Sequence, residues 1–111
     1  MMIEIPVTQD DIDKGVPDYA EPDRCVIALA LKRHFGESVY VAAGARDAII
    51  GEDLRVYKFD DALIKFDDAT REAFHESYPP SEAESERPRI RPGVIRLDKQ
   101  AKMLSYEEMP G

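Results

Sequence analysis

The sequence predicts an α+β fold: a small, mainly antiparallel sheet packed on one buried helix, with a second amphipathic helix beside it. Three observations carry that expectation. The longest apolar run, Cys25–Leu31, is bounded by helix start and stop signals. Short β-branched and aromatic stretches are separated by tight-turn residues. A single apolar stripe recurs at intervals of three and four after Asp60. A chain of 111 residues fits one such domain, and at this size about two-thirds of the unfolded surface is buried on folding.

The elements follow in order. I3-E-I-P-V7 alternates apolar and polar residues and reads as a short strand. Pro6 favours a sheet edge, because it brings no N–H to a ladder. Thr8, three residues before Asp11, reads as the cap of a helical turn that Gly15 ends. Asp23 is placed to cap the buried helix, which runs to about Phe35. Lys32, Arg33 and His34 suit the negative end of its dipole, and Gly36 suits its close. S38-V-Y-V-A-A43, A48-I-I50 and L54-R-V-Y-K-F59 give two or three antiparallel strands, with G51-E-D53 as a turn. Asp60 or Asp61 caps the second helix, whose stripe is Leu63, Phe66, Thr70, Ala73, Phe74 and Ser77; the adjacent Asp67 and Asp68 favour a break within it. Residues 78–93 hold four of the eight prolines and few core candidates, and read as a loop or linker. V94-I-R-L97 is a final strand and the remainder a fraying tail. The expected organisation is a compact domain over 1–77, a linker over 78–93, and a strand with its tail over 94–111.

Charge is unevenly written along the chain. The net value is −8, from 23 acidic and 15 basic residues. Residues 1–86 hold 20 acids and 9 bases, a net −11, whereas 87–111 hold 6 bases and 3 acids, a net +3. An acidic surface attracts basic protein surfaces and repels nucleic acid, and a basic one does the reverse. Two sets of candidate binding residues follow. Asp10, Asp11, Asp13, Asp60, Asp61, Asp67 and Asp68 are candidates for contact with a basic partner. Arg87, Arg89, Arg91, Arg96, Lys99 and Lys102 are the alternative, a phosphate-binding set for nucleic acid. For each acid, a solvated or helix-capping role competes with the functional one.

Catalytic chemistry finds little to stand on. Cys25 and His34 are nine residues apart on one helix, about 900° of rotation and 13 Å of rise, so they cannot make the close contact that a thiol–imidazole pair needs. The apolar residues around Cys25 point to a buried, structural thiol. Two histidines and one cysteine are too few for a nitrogen–sulfur metal site. Glu72 and His75 share a helix face, but the di-iron arrangement with that spacing needs a second copy. No acidic residue stands two before any lysine, as a restriction-type nuclease requires, and no glycine-rich phosphate loop or nucleophile elbow occurs. The sequence therefore predicts a non-enzymatic protein without cofactor or metal. It has no apolar run long enough to cross a bilayer, no secretory signal in M-M-I-E-I-P-V-T-Q-D-D, and no second cysteine for an internal disulfide. A cytoplasmic setting is expected.

The strings I3-E-I-P-V-T-Q-D-D-I-D-K-G15 and D23-R-C-V-I-A-L-A-L31, with Phe66-Asp67 later, resemble the N-terminal half of a family of small bacteriophage and prophage accessory proteins. These look like a strand, a D-I-x-x-G turn and a Cys-bearing helix; Val26 departs from the proline that often follows the cysteine there. The resemblance implies a phage accessory protein in a bacterial host. Anti-CRISPR and other anti-defence proteins are similar in size, acidity and lack of catalytic motifs. The leading expectation is an acidic interaction protein that binds a basic surface of a host protein complex. The alternatives are nucleic-acid binding through residues 87–102 and a phage assembly factor.

Overall fold

The structure is a computed structural model that describes residues 2–16, 21–36, 38–42, 46–75 and 90–108, with the backbone alone at 74 and 75. In chain order the elements are β1 (Met2–Val7), α1 (Gln9–Lys14), α2 (Val26–Phe35), β2 (Val39–Ala42), β3 (Asp47–Ile50), β4 (Arg55–Phe59), α3 (Asp61–His75), β5 (Gly93–Asp98) and β6 (Met103–Glu108). The six strands form one sheet in the order β1-β5-β6-β4-β3-β2. Every pairing is antiparallel except β4 with β6. The fold is α+β.

Side chains alternate between the faces of a strand, and the register makes one face continuous. Ile5 opposes Ile95, Leu97 opposes Leu104, and Ala48 opposes both Tyr57 and Val41. All seven are buried, and with α2 and α3 they form the core. Among the described residues no helix packs on the remaining face of the sheet. The helix α2 approaches both β1 and β2, which lie at opposite edges of the sheet, so the sheet coils far enough for its two ends to meet one helix. That accounts for burial around α2 at Val26, Ile27, Ala28, Ala30 and Leu31. Against the middle strands β6 and β4 lies α3.

Both sheet edges are blunted. Pro6 sits on the edge strand β1, and its carbonyl accepts from Arg33 Nη2 at 2.5 Å. On β2, Val41 N donates to Pro22 O at 2.9 Å. Occupied edge groups and a missing N–H are what keep edge strands from pairing with other chains.

Local chemistry explains the boundaries, including those that depart from expectation. At α1, Asp11 N donates to Thr8 Oγ1 at 3.2 Å and Thr8 N to Asp11 Oδ2 at 2.9 Å, a reciprocal capping box. Gly15 ends it as expected, for a steric reason: a Cβ there would lie 2.4 Å from Val26 Cγ2. The N-cap of α2 is Cys25 rather than Asp23, and its side chain makes no capping bond. Asp23 instead pairs with Lys32 at 3.7 Å. Gly36 closes α2 in the left-handed conformation, φ 64°. The expected break in α3 does not occur, because Arg46 and Arg71 offset the adjacent carboxylates of Asp67 and Asp68. The tail is a strand: β6 lies between β5 and β4, so the boundary expected between 1–77 and 94–111 runs through the sheet. Residues 76–89, most of the expected linker, lie outside the described residues.

Candidate interaction surface

The acidic candidates divide by burial. Asp10 and Asp13 are exposed on α1, where Asp10 pairs with Lys14 at 3.3 Å and Asp13 accepts from Gln9 Nε2 at 3.0 Å. Asp11 is buried and holds the capping box together with Arg33. Asp60 caps α3 by accepting from Leu63 N at 2.8 Å. Asp61 is exposed. Asp67 is 1 % exposed; Arg46 lies 3.4 Å and Arg71 3.3 Å from its carboxylate. Asp68 is more open, and meets the same two arginines at 2.5 and 3.8 Å. Asp11 and Asp67 are thus structural acids and present no carboxylate to a partner, which corrects the expectation from sequence. Burial is tolerable for both because donors surround the carboxylates, Arg33 and the Thr8 N–H at Asp11 and Arg46 and Arg71 at Asp67. Asp10, Asp13, Asp61 and Asp68 are the exposed ones, divided between α1 and α3.

The basic candidates do not converge. Arg87 and Arg89 lie outside the described residues. Arg91 stands just before β5, 3.7 Å from Glu108. Arg96 lies mid-strand between two carboxylates, 3.1 Å from Glu4 and hydrogen-bonded to Glu107. Those bonds and charges, Glu107's first, raise its pKa further and satisfy its guanidinium within the sheet. Lys99 and Lys102 sit at the β5–β6 turn, where Asp98 Oδ1 accepts from Gln100 N at 2.9 Å and Ala101 N at 3.1 Å. Seven residues, six of them the strand β5, separate Arg91 from Lys99, eight steps or about 26 Å of extended chain. The sequence's division into acidic body and basic arm is therefore not a division in space. The described residues hold 17 acids against 13 bases, a net −4, and β5 and β6, which come from the base-rich end of the chain, lie inside the sheet.

What the pairing does bring together is the helix-free face. One row crosses all six strands: Met2, Asp98, Met103, Lys58, Asp47 and Ala42. Beside it run Tyr40, Ile49 and Val56 on one half of the sheet, and Glu4, Arg96 and Ser105 on the other. Four of the five exposed large hydrophobic residues among those described stand on this face: Met2, Tyr40, Val56 and Met103, at 56, 51, 41 and 38 % exposure. Its charges are Glu4, Asp47, Asp98 and Glu107 against Lys58 and Arg96, a net −2. Of these Asp47 is buried, 4.0 Å from Lys58 Nζ. Sequence reasoning passed over this surface. Alternation marks β2 and β4 as strands, but which half of the alternation stays open depends on where the helices pack. Met103 lay in a presumed tail.

Among the described residues the thiol and the imidazole named from sequence do not meet. Cys25 is buried with its Sγ 4.0 Å from Pro22 O, whereas His34 is exposed and packs edge-on against Phe35. The side chain of His75 lies outside the described residues. Among the described residues no three His, Cys, Asp or Glu side chains come together as metal ligands, and no helix is long and apolar enough to cross a membrane.

No protein-family profile matches the chain, and no significant match is found among curated proteins or among solved structures.

Proposed function

We propose that this chain is a non-enzymatic protein-interaction module that docks through the helix-free face of its sheet onto a partner surface both basic and apolar. The observation that carries the reading is the concentration of exposed Met2, Tyr40, Val56 and Met103 on that one face, among carboxylates in excess. Exposed apolar groups gathered on a charged surface are the usual mark of a binding site, and aromatic and Met side chains supply most of the contact energy in such sites. The excess of carboxylates selects a basic partner and speeds encounter with it. The resemblance to phage accessory proteins adds the biological setting: a host complex whose basic surface ordinarily holds nucleic acid, with anti-defence activity as the outcome. The remaining open acids, Asp10, Asp13, Asp61 and Asp68, contribute to the long-range field rather than to the contact.

The test is affinity capture of the tagged full-length chain from bacterial lysate, with low- and high-salt washes, beside Tyr40→Ala/Val56→Ala and Asp10→Asn/Asp13→Asn variants. The expected result is a nucleic-acid-binding protein retained at low salt, released by high salt, and lost from the Tyr40/Val56 variant alone. Undiminished capture by that variant would remove the helix-free face from the interaction.

A further inference from the structure

We propose that a groove on the opposite side of the molecule, between α3 and the chain entering β5, binds a small amphipathic monocarboxylate. The floor is apolar. Phe66 and Tyr106 stack with ring centroids 4.1 Å apart, and Tyr106 Oη donates to Arg91 O at 3.0 Å, which holds the phenol ring at the bottom of the hollow. Ile90 continues the floor. Alanines at 62 and 69, seven apart and so on one face of α3, leave the space open. The hollow measures about 340 Å³, and a second of about 320 Å³ continues it over Ile90 towards Ala73. That is an elongated site of the size that holds a small ligand.

The charges on its rim define the ligand class. Lys65, Arg91 and Glu108 line the first hollow, a net +1 in a protein of net −8. Glu108 lies 3.7 Å from Arg91, and no described carboxylate pairs with Lys65. One negative charge satisfies this rim, whereas a dianion such as phosphate leaves it over-filled. In the continuing hollow the charged residue is Glu72, which repels an anion. The ligand therefore has a fixed polarity, with the carboxylate between Lys65 and Arg91 and the hydrocarbon running over Phe66, Tyr106 and Ile90 towards Ala73. Partial burial, with the charge of Glu108, pushes the Tyr106 hydroxyl pKa up to about 12.

Octanoate is the probe, titrated into the isotope-labelled full-length chain while amide resonances are followed by NMR, with 1-octanol as the neutral match. Saturable shifts confined to residues 62–73, 90–91 and 106–108 are expected, with octanol about tenfold weaker. Ala69→Leu fills the groove from an exposed helix position and abolishes the shifts; Ala62→Leu does the same should the first variant be unstable. Lys65→Gln brings octanoate down to the level of octanol. No shift at millimolar octanoate, equal binding of octanol, or shifts spread over other surfaces would overturn the assignment. Each outcome is independent of whether the helix-free face binds a protein.

Discussion

Gly93 and Tyr106 show how little tolerance single positions leave. A Cβ on Gly93 would lie 2.3 Å from Tyr106 Oη and 2.5 Å from Glu107 O, and the second of these is backbone that cannot swing away. Gly93→Ala is expected to cost about 1–3 kcal/mol, the range for overpacking, seen as a lower midpoint in urea with an unchanged slope. Tyr106 itself makes stability depend on pH. Burial first, and the charge of Glu108 second, raise its pKa from 10.0 to about 12. An acid held neutral by the fold contributes stability that is complete below pH 10 and lost as pH rises from 10 to 12. Thermal melts across that range should show the loss, and Tyr106→Phe should remove this part of it. At this scale the sequence was only half legible. The carboxylates of Asp10 and Asp11 are adjacent and chemically identical, yet one is solvated and the other buried against Arg33, a residue 22 positions away that no local pattern points to.

Elements were more legible, because their signals are local. Thr8, Gly15, Gly36 and Asp60 each act at the helix end where their chemistry places them, and the period-two stretches became β2, β3 and β4. The misreadings have a shared cause in tertiary partners. Asp67 and Asp68 suggested a helix break, but Arg46 reaches them from the β2–β3 connection, 21 and 22 residues earlier. Arg46 is itself held in the left-handed conformation, φ 56°, and its carbonyl accepts from Phe59 N at 3.0 Å. Its side chain thus ties the hairpin to α3 while its backbone ties it to β4. Arg46→Ala leaves Asp67 buried with one cation fewer, so it should destabilise by about 1–3 kcal/mol. Lys14→Ala, which loses only an exposed pair, should cost about 0.5 kcal/mol or less. Chemical denaturation of the two variants side by side checks the ranking. Leu31→Ala, at a fully buried position of α2, should cost about 2–5 kcal/mol by the same measurement.

For the whole molecule, the sequence disclosed composition and fold class but not spatial order. Charge counted along the chain separated an acid-rich portion from a base-rich one, and strand pairing interleaves them. Arg96 between Glu4 and Glu107 is the clearest case: three residues from the two ends of the chain form one ionic group. For the same reason the open face was invisible, since its members come from all six strands and no window of sequence holds more than a few.

That pairing also has a consequence in time. The first strand finds its neighbour only when residue 98 is present, because Met2 pairs with Asp98, and β5 and β6, the two strands that join β1 to the rest of the sheet, are the last to be made. Until then, β1 has no ladder to join and the hairpins of β2–β4 have no sheet to extend. During synthesis the sheet must therefore wait for β5 and β6 to clear the ribosome. Contacts spanning nearly its whole length then make the closing step slow for a protein of this size. A chain halted at residue 77 should remain protease-sensitive and show no cooperative unfolding, whereas the full chain should resist digestion and refold on the millisecond-to-second timescale of other proteins dominated by distant contacts.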